Sequence, residues 1–319
     1  MQLRQFQYLI HSIDSGSLSR ASQALHIAQP ALSQQINQLE DELGVKLLTR
    51  SVRGVAPTEA GLAVYEQAKL ILKQVDATRL IAADADRGPA GTVSLGLPWS
   101  LANLVGLELL RQVAATMQQV RLEIVEGPSS LLSGMLSDGK VEIAVLFSDT
   151  VNAGLALRPV AVEPLLLIGA RDTLGAAREI TLEAAAAYPM VLTSRPNPIR
   201  DLLETRWLAA GLRHTVVAEI NSPSLLIEAV KAGVAYSIVP AAGLEDAVRK
   251  GQIDAVPLAG AGLARTVYIG SSRLFASPQA VERVDVLLEQ VMVAAIREGR
   301  WHATPIYDRD PAAALATLE

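Results

Sequence analysis

Residues 17–44 constrain the fold more than any other stretch, because they hold two short helical patterns separated by a turn. In the first, "SLSRASQALHI", Leu18, Ala21 and Leu25 recur at helical spacing. They follow Ser17, whose residue type often caps helix N-termini. The pattern predicts a short amphipathic helix whose apolar face must be covered by another element.

The second pattern, "AQPALSQQINQLEDELG", occupies residues 28–44 and has two different sides. Pro30 is compatible with a first helical turn, and Gly44 is typical of the residue that ends a helix. Two such helices joined by a turn of about three residues indicate a helix-turn-helix, whose second helix enters the DNA major groove. One side carries an apolar stripe at helical spacing, formed by Leu32, Ile36, Leu39 and Leu43.

The opposite side of this helix is polar and matches the chemistry of DNA bases. Gln and Asn amides can pair with adenine through two hydrogen bonds, and the open amides of a first turn favour anions. The alternative is an ordinary solvated helix face. The candidate DNA-binding residues of this segment are Ser17, Gln29, Pro30, Ser33, Gln34 and Asn37.

Residues 45–58 read as two short strands around Arg53 and Gly54, a wing that can reach the DNA backbone or minor groove. The chain carries a net charge of −5, whereas residues 1–58 have five basic and four acidic side chains and a net charge of +1. The cations Arg50 and Arg53 lie in the wing, where clustering favours phosphate contact. We therefore add both to the candidate DNA-binding residues.

The sequence of residues 59–88 predicts a long helix, since Thr58 can cap its start and no proline follows until Pro89. Alternating spacing of three and four residues indicates a coiled-coil dimerisation helix. Packing of the same residues against their own domain would give a similar pattern. The seam consists of Tyr65, Ala68, Leu72, Val75 and Ala82, and Arg79 interrupts it at one position.

The stretch "SGSLSRASQALHIAQPALSQQINQLEDELGVKLLTRSVRGVAPTEAG" resembles the N-terminal winged helix of LysR-type transcriptional regulators. The resemblance implies double-stranded DNA and RNA polymerase as partners, and a homodimer or homotetramer. Ala28 stands where the family usually has Ser, which removes a capping hydroxyl, and Gln34 stands where many members have Arg. Two further departures are Leu48 for a common Phe and Pro57 for a common Leu.

Beyond the Gly/Pro linker at residues 86–91, short apolar strands alternate with helices, which indicates an α/β domain. Residues 130–146 and 224–240 both contain Ser-Leu-Leu, a helical stretch, a glycine and a strand at matching positions. This internal repeat predicts two equivalent halves.

The resemblance implies how these halves are arranged. Effector domains of LysR-type regulators are similar to periplasmic solute-binding proteins, with two α/β lobes joined by crossover strands, which we place near 160–163 and 264–267. The tail from Trp301 has no clear period and is expected to be loose. The predicted divisions are a winged helix-turn-helix domain (1–58), a linker helix (59–88) and an effector-binding domain (89–319) with lobe I (about 91–161 and 267–300) and lobe II (about 162–266).

Ligands in open α/β sheets bind beyond the carboxyl ends of strands, where helix N-termini present amides. Hydroxyls gathered there favour a small polar or anionic effector, and the neighbouring aromatic rings make an aromatic carboxylate one candidate. Each residue has the alternative role of a helix cap. Arg195 and Arg200 offer charge, but we expect them to face solvent. The candidates are Trp99, Ser100, Phe147, Ser148, Thr193, Ser194, Ser222 and Ser224, and family resemblance favours Ser100 among them.

Several function classes are disfavoured by what the sequence lacks. Zero cysteines exclude disulfides and thiol chemistry, and the four histidines have no ligand spacing, so no metal or cofactor is expected. No apolar run is long enough to span a membrane, and no secretory signal is evident, so we expect a cytoplasmic protein. The leading hypothesis is a ligand-responsive transcriptional regulator. An enzyme with a DNA-binding appendage and a solute-binding module are the alternatives.

Overall fold

The structure is a computed structural model of the chain. It describes residues 1–51, 54–147, 154–175, 177–260, 262–272 and 278–306, except for the side chains of residues 80, 81 and 83–87. The chain divides into two compact units, Met1–Asp86 and Arg87–Glu319.

The first unit is a helix-turn-helix followed by a hairpin and a long helix. The helix predicted to follow Ser17 begins at that cap, since the Ser17 hydroxyl accepts a hydrogen bond from the Arg20 N–H at 3.4 Å. Gly44 ends the next helix in the left-handed conformation, with φ of 70°, as predicted. The elements are α1 (Leu3–Ser15), α2 (Leu18–Ala24), α3 (Gln29–Leu43), β1 (Leu48–Ser51), β2 (Gly54–Pro57) and α4 (Glu59–Arg87).

The apolar stripe of α3 packs into the core of this unit, but the stripe is shorter than predicted. Leu32, Ile36 and Leu39 are fully buried, whereas Leu43 is 37% exposed, so its assignment to the buried stripe was wrong. Leu43 is the last residue of α3 and lies beyond the core. The side chain that is buried next to the stripe is Glu40, which is only 3% exposed.

Glu40 is buried because the start of the hairpin supplies donors for its charge. Its carboxylate accepts hydrogen bonds from the N–H groups of Leu47 and Leu48 at 2.9 and 3.1 Å, and from Lys46 Nζ at 2.7 Å. Burial by itself raises the pKa of Glu40, but these hydrogen bonds outweigh it and hold the pKa below its ordinary value. Glu40 therefore fixes the entry of the chain into the hairpin relative to α3.

The long helix α4 begins at a cap, since the Thr58 hydroxyl accepts a hydrogen bond from the Gly61 N–H at 2.9 Å. Tyr65 and Ala68, the first residues of the predicted seam, are buried within this unit, and Ala68 belongs to its core. For these two residues the alternative of packing against their own domain is therefore correct. Ala82 is exposed, so a dimer seam formed by the later part of α4 stays a prediction.

The second unit contains a large mixed sheet with helices packed on it. Its helices are α5 (Trp99–Thr116), α6 (Ser129–Ser137), α7 (Leu182–Ala185), α8 (Pro198–Ala209), α9 (Pro223–Lys231), α10 (Glu245–Arg249) and α11 (Gln279–Arg297). Its strands are β3 (Gly91–Leu97), β4 (Val120–Glu126), β5 (Ile143–Leu146), β6 (Leu155–Ala170), β7 (Ile180–Thr181), β8 (Pro189–Leu192), β9 (Thr215–Glu219), β10 (Ser237–Pro240), β11 (Ile253–Ala259), β12 (Ala264–Ser272) and β13 (Thr304–Pro305).

One long strand, β6, belongs to both halves of this unit. Its first part pairs antiparallel with β12, from Leu155 opposite Ser272 to Pro164 opposite Ala264. Its second part pairs antiparallel with β10 and β11 instead. The predicted crossings at 160–163 and 264–267 thus fall within β6 and β12. The result is a two-lobed fold of the periplasmic-binding-protein type, while the residue limits of the lobes stay a prediction.

The two halves repeat one strand arrangement, which confirms the internal repeat. In the first, β3 pairs in parallel with β4 and with β5, and β5 pairs antiparallel with the crossing strand β12. In the second, β8 pairs in parallel with β9 and forms a parallel bridge to Tyr236, next to β10. Strand β10 pairs antiparallel with the crossing strand β6. Each Ser-Leu-Leu repeat therefore forms the helix and strand beside a crossing.

The expectation that the tail from Trp301 is loose is wrong for its first residues. Trp301 is 1% exposed and packs in the core of the first half. Thr304 and Pro305 then pair with Val162 and Ala161 of β6. The indole and the added strand bury this segment without any periodic pattern in its sequence. The remainder of the tail, residues 307–319, lies outside the described residues.

We expect Glu40→Ala to destabilise the first unit by about 2–4 kcal/mol at neutral pH, because three donors lose their buried acceptor. Since the pKa of Glu40 is lowered in the fold, this contribution is present above the ordinary pKa of Glu and is lost as the pH falls below it. Hydrogen exchange of the segment around Leu47 and Leu48, at neutral and acidic pH, measures the effect. Asp41→Ala, at an exposed neighbour, should leave protection unchanged.

Candidate DNA-binding surface and effector site

The polar side of α3 faces away from the core of the first unit. Gln29, Pro30, Gln34 and Asn37 are exposed, and Ser33 is half-buried. The side chain of Gln34 forms no hydrogen bond with another described residue. The structure thus places all five α3 candidates on one accessible face. The sixth candidate, Ser17, is engaged as the cap of α2.

A side chain of the hairpin joins this face. Arg50, on β1, donates from Nη1 to the Ser33 hydroxyl and from Nη2 to Asn37 Oδ1, both at 2.7 Å. Ser33 and Asn37 are four residues apart and therefore adjacent on the helix. The Arg50 guanidinium, the Ser33 hydroxyl and the Asn37 amide thus form one polar cluster. The other wing candidate, Arg53, lies outside the described residues.

In the second unit, Ser100 lies in the first turn of α5 and contacts an ion pair between the crossing strands. Its hydroxyl accepts a hydrogen bond from Arg265 Nη2 at 3.1 Å, and Arg265 Nε donates to Glu163 Oε2 at 2.6 Å. Glu163 is completely buried on β6, and the Arg265 side chain is 10% exposed on β12. The second carboxylate oxygen accepts hydrogen bonds from the Ala242 N–H and, at 3.0 Å, from Trp301 Nε1.

Phe147 belongs to the same cluster, because the Arg265 guanidinium lies over its ring, 3.5 Å from the centroid. This geometry is a cation–π contact. The Phe147 N–H donates to the Ser129 hydroxyl at 3.0 Å, which ties the end of β5 to the start of α6. Trp99 precedes Ser100 and is 38% exposed. The candidate Ser148 lies outside the described residues.

The candidates of the second half lie together, at the end of β8 and the start of α9. The Ser194 N–H donates to Asn221 Oδ1 at 3.0 Å. The Ser222 hydroxyl caps α9 and lies 3.0 Å from the Ser224 hydroxyl. Thr193 offers its carbonyl to Arg200 at 3.4 Å. Within the described residues, no hydrogen bond links this group to Ser100.

The two arginines near this group are placed differently. Arg195 is exposed and pairs with Asp201 at 3.3 Å. Arg200 does not face solvent as predicted, because it is 8% exposed and its Nε donates to Glu204 at 2.7 Å. Its Nη1 lies 3.3 Å from Glu219. The two carboxylates hold the Arg200 guanidinium inside the lobe, between α8 and β9.

A partly buried carboxyl group close to the ion pair, that of Glu245, was missed by the sequence patterns. Glu245 Oε2 accepts a hydrogen bond from the Gly243 N–H at 3.0 Å, and its Oε1 is buried without a hydrogen-bond partner among the described residues. Burial first, and the nearby Glu163 charge second, raise the pKa of Glu245 to about 7. Gly243 itself lies next to Ser100, whose carbonyl oxygen would be 3.4 Å from a Cβ at that glycine.

The pairing of Glu163 with Arg265 was also missed. A signal was present, because Glu163 interrupts the apolar run "LRPVAVEPLLLIGA" and Arg265 falls within the predicted second crossing. A charge inside a buried strand requires a partner. The identity of that partner, 102 residues away, has no local signature.

Two family models match the chain, one for each of the two compact units. Residues 3–62 match the model described as bacterial regulatory helix-turn-helix protein, lysR family, and residues 86–311 match the LysR substrate binding domain. The chain belongs to the LysR family of transcriptional regulators.

Curated relatives from this family are regulators rather than enzymes. The chain is 34% identical to the nitrogen assimilation regulatory protein nac of Klebsiella aerogenes over 241 residues, which cover 75% of this chain and 78% of the relative. It is 30% identical to the protein of the same name from Escherichia coli over 305 residues, which cover 94% and 99%. This LysR-type protein is therefore a DNA-binding transcriptional regulator with an effector-binding domain.

Solved LysR structures share its fold. A full-length OxyR variant from Pseudomonas aeruginosa matches with a TM-score of 0.69 and 24% identity, covering 91% of this chain and 98% of the other. Full-length CbnR complexed with its target DNA matches with a TM-score of 0.65 and 23% identity, covering 91% and 100%. Within the described part of this regulator, no helix is long and apolar enough to cross a membrane.

We expect Glu245 to contribute stability that is present below its ordinary pKa and is lost as the pH rises through about 7. The pKa of Glu245 is about 7 in the fold, above its ordinary value, so the folded state retains a proton that the unfolded chain has lost. The Glu245→Gln variant mimics the protonated carboxyl. Its melting temperature should exceed that of the original protein by an amount that grows with pH, and a constant difference would contradict the assignment.

Proposed function

We propose that this LysR-type regulator binds a small polar or anionic effector beside Ser100 and Arg265, and that the effector alters how the regulator engages DNA. In this proposal, residues 1–58 bind DNA, residues 59–88 form the dimerisation linker, and residues 89–319 sense the effector between two lobes. Binding shifts the population of lobe arrangements rather than driving a chemical reaction.

The observation that carries this proposal is the set of hydrogen-bond donors at Ser100. Within the described residues, Arg265 uses one N–H donor on Glu163 and one on the Ser100 hydroxyl, out of five that a guanidinium offers. Because the Ser100 oxygen accepts from Arg265, its own O–H is available to donate. Donors on both residues therefore favour a ligand that presents acceptor oxygens, such as a carboxylate.

The surroundings of these donors suit a ligand with an apolar part. Phe147 packs against Arg265, and the partly exposed Trp99 precedes Ser100 in the chain. Ser148, Thr193, Ser194 and Ser222 remain candidates for further polar contacts. An aromatic or short aliphatic carboxylate has the chemistry that these side chains accept, with its charge toward Arg265 and its carbon skeleton toward the rings.

On the DNA side, we assign base reading to Gln34, supported by Gln29 and Pro30, and backbone or minor-groove contact to Arg50 and Arg53. The exposed α3 face supports this assignment, as does the structural similarity to CbnR, which was solved with its target DNA. A single α3 helix reads only a few base pairs, so paired half-sites require a homodimer or homotetramer. RNA polymerase is the proposed protein partner, and the cytoplasm the proposed location.

We expect Ser100→Val to abolish the effector response while leaving operator affinity within about twofold, because the sensing and DNA-binding residues lie in separate units. An operator duplex is first selected from random sequences with the full-length protein. Thermal shift and operator binding are then measured with a panel of aliphatic and aromatic mono- and dicarboxylates, and with the corresponding neutral amides.

The matched control is Thr116→Val, at the exposed opposite end of α5, which should respond like the original protein. A normal response of Ser100→Val to an active carboxylate would refute the placement of the site. A preference for the amides over the acids would refute the proposed role of Arg265.

We also expect sedimentation of the full-length regulator at micromolar concentration to show a dimer or tetramer. A monomer under these conditions, with and without the selected operator, would contradict the proposed pairing of half-sites. The same measurement on Ala82→Glu tests the later part of α4, because a buried charge in a helical seam weakens association. Ala77→Glu, on the side of the same helix opposite the seam, is the matched control.

A further inference from the structure

The cluster on the DNA-binding face uses the oxygen acceptors of two candidate base readers within the protein. Arg50 donates to the Ser33 hydroxyl oxygen and to Asn37 Oδ1, each at 2.7 Å. Both distances are typical of charge-assisted hydrogen bonds. Arg50 is an exposed side chain, so the two bonds hold a long cation that would otherwise sample many rotamers.

What the cluster offers to DNA is therefore mainly donors, because one of the two acceptor positions of each oxygen is used by Arg50. With its oxygen directed to Arg50, Ser33 retains one O–H donor, and Asn37 retains the two N–H donors of its amide. Arg50 retains the N–H groups not used in these two bonds, together with its positive charge. A surface of donors with a single positive charge is complementary to a group that only accepts hydrogen bonds.

The DNA phosphate is such a group, whereas adenine is not. Pairing of an Asn side chain with adenine requires the amide oxygen to accept a hydrogen bond from the base while the amide nitrogen donates to it. In this structure Arg50 occupies one of the two acceptor positions of Asn37 Oδ1 and fixes the orientation of the amide, which disfavours the two-bond pairing with adenine. Contacts to phosphate fix the register of a protein on the duplex but carry no sequence information directly.

We propose that Ser33 and Asn37 are positioning residues, which hold the Arg50 guanidinium against one DNA phosphate, and that Gln34 between them reads bases. This inference rests on the proposed DNA-binding role of α3 and refines it. For Asn37 it proposes phosphate positioning in place of the predicted pairing with adenine. Because Arg50 is ordered before DNA arrives, less conformational entropy is lost on binding than for a free arginine.

The test is a double-mutant cycle on Asn37 and Arg50 in the full-length regulator. Binding to the selected operator and to duplexes changed at single base pairs is measured at several salt concentrations for Asn37→Ala, Arg50→Ala and the double variant. Gln34→Ala is the base-reading comparison. Gln38→Ala is the matched control, since Gln38 is exposed on the same helix and bonds to Gln35 rather than to the cluster. Melting temperatures establish that each variant is folded.

We expect Asn37→Ala to weaken binding to all duplexes equally, by about threefold to tenfold, and to lower the salt dependence in the same direction as Arg50→Ala. Arg50→Ala should reduce the slope of log affinity against log salt by about 1. In the Arg50→Ala background, Asn37→Ala should have no further effect, because the residue it positions is gone. Gln38→Ala should match the original protein.

Two outcomes overturn the inference. In the first, Asn37→Ala changes the preference at one base pair, which indicates base reading. In the second, the losses from Asn37→Ala and Arg50→Ala simply add, which indicates independent contacts. Failure of the wider proposal is distinguishable, because in that case Gln34→Ala leaves base preference unchanged or the original protein shows no sequence-selective binding.

Discussion

The buried charge of Glu163 is the constraint around which the second unit is arranged. A carboxylate removed from water requires several donors at short range, and each donor that Glu163 finds comes from a different part of the chain. Arg265 lies on the returning crossover strand, Ala242 follows β10, and Trp301 follows α11. Removing Arg265 would leave an unpaired buried charge, a change that typically costs about 3–5 kcal/mol. The ion pair therefore fixes the point where both lobes and the C-terminal segment meet.

The same constraint links this structural centre to the proposed sensing site. Arg265 satisfies Glu163 on one side and contacts Ser100 and Phe147 on the other. A ligand that binds beside Ser100 therefore acts on a side chain that already spans the crossover. In the first unit Glu40 has a comparable structural role, since its buried carboxylate joins α3 to the start of the hairpin. In each unit a buried acid thus holds together elements that carry candidate functional residues.

The sequence predicted those features that follow from local periodicity. The caps at Ser17 and Thr58, the buried α3 residues Leu32 and Ile36, and the internal repeat all arise from patterns shorter than about 20 residues. The features it missed depend on pairing between distant residues. Arg50 approaches Ser33 and Asn37 only after the hairpin folds back, and Arg265 reaches Glu163 only when both crossovers are in place. Trp301 was assigned to a loose tail because a single anchoring indole has no period.

The groups around Glu163 and Arg265 also determine which of the two positions carries the acid and which the arginine. The groups that donate hydrogen bonds to Glu163, besides Arg265, are the Ala242 N–H and the Trp301 indole N–H, and neither can accept a hydrogen bond. An arginine at position 163 would place its own N–H donors against the N–H donors of Ala242 and Trp301. A carboxylate at position 265 would lie over the electron-rich face of Phe147. Charge reversal at both positions would preserve the net charge and the Coulomb attraction, but it would lose the hydrogen bonds from Ala242 and Trp301 and the cation–π contact with Phe147. The surroundings therefore require the acid on β6 and the arginine on β12. The two crossing strands, although similar in topology, are not chemically interchangeable.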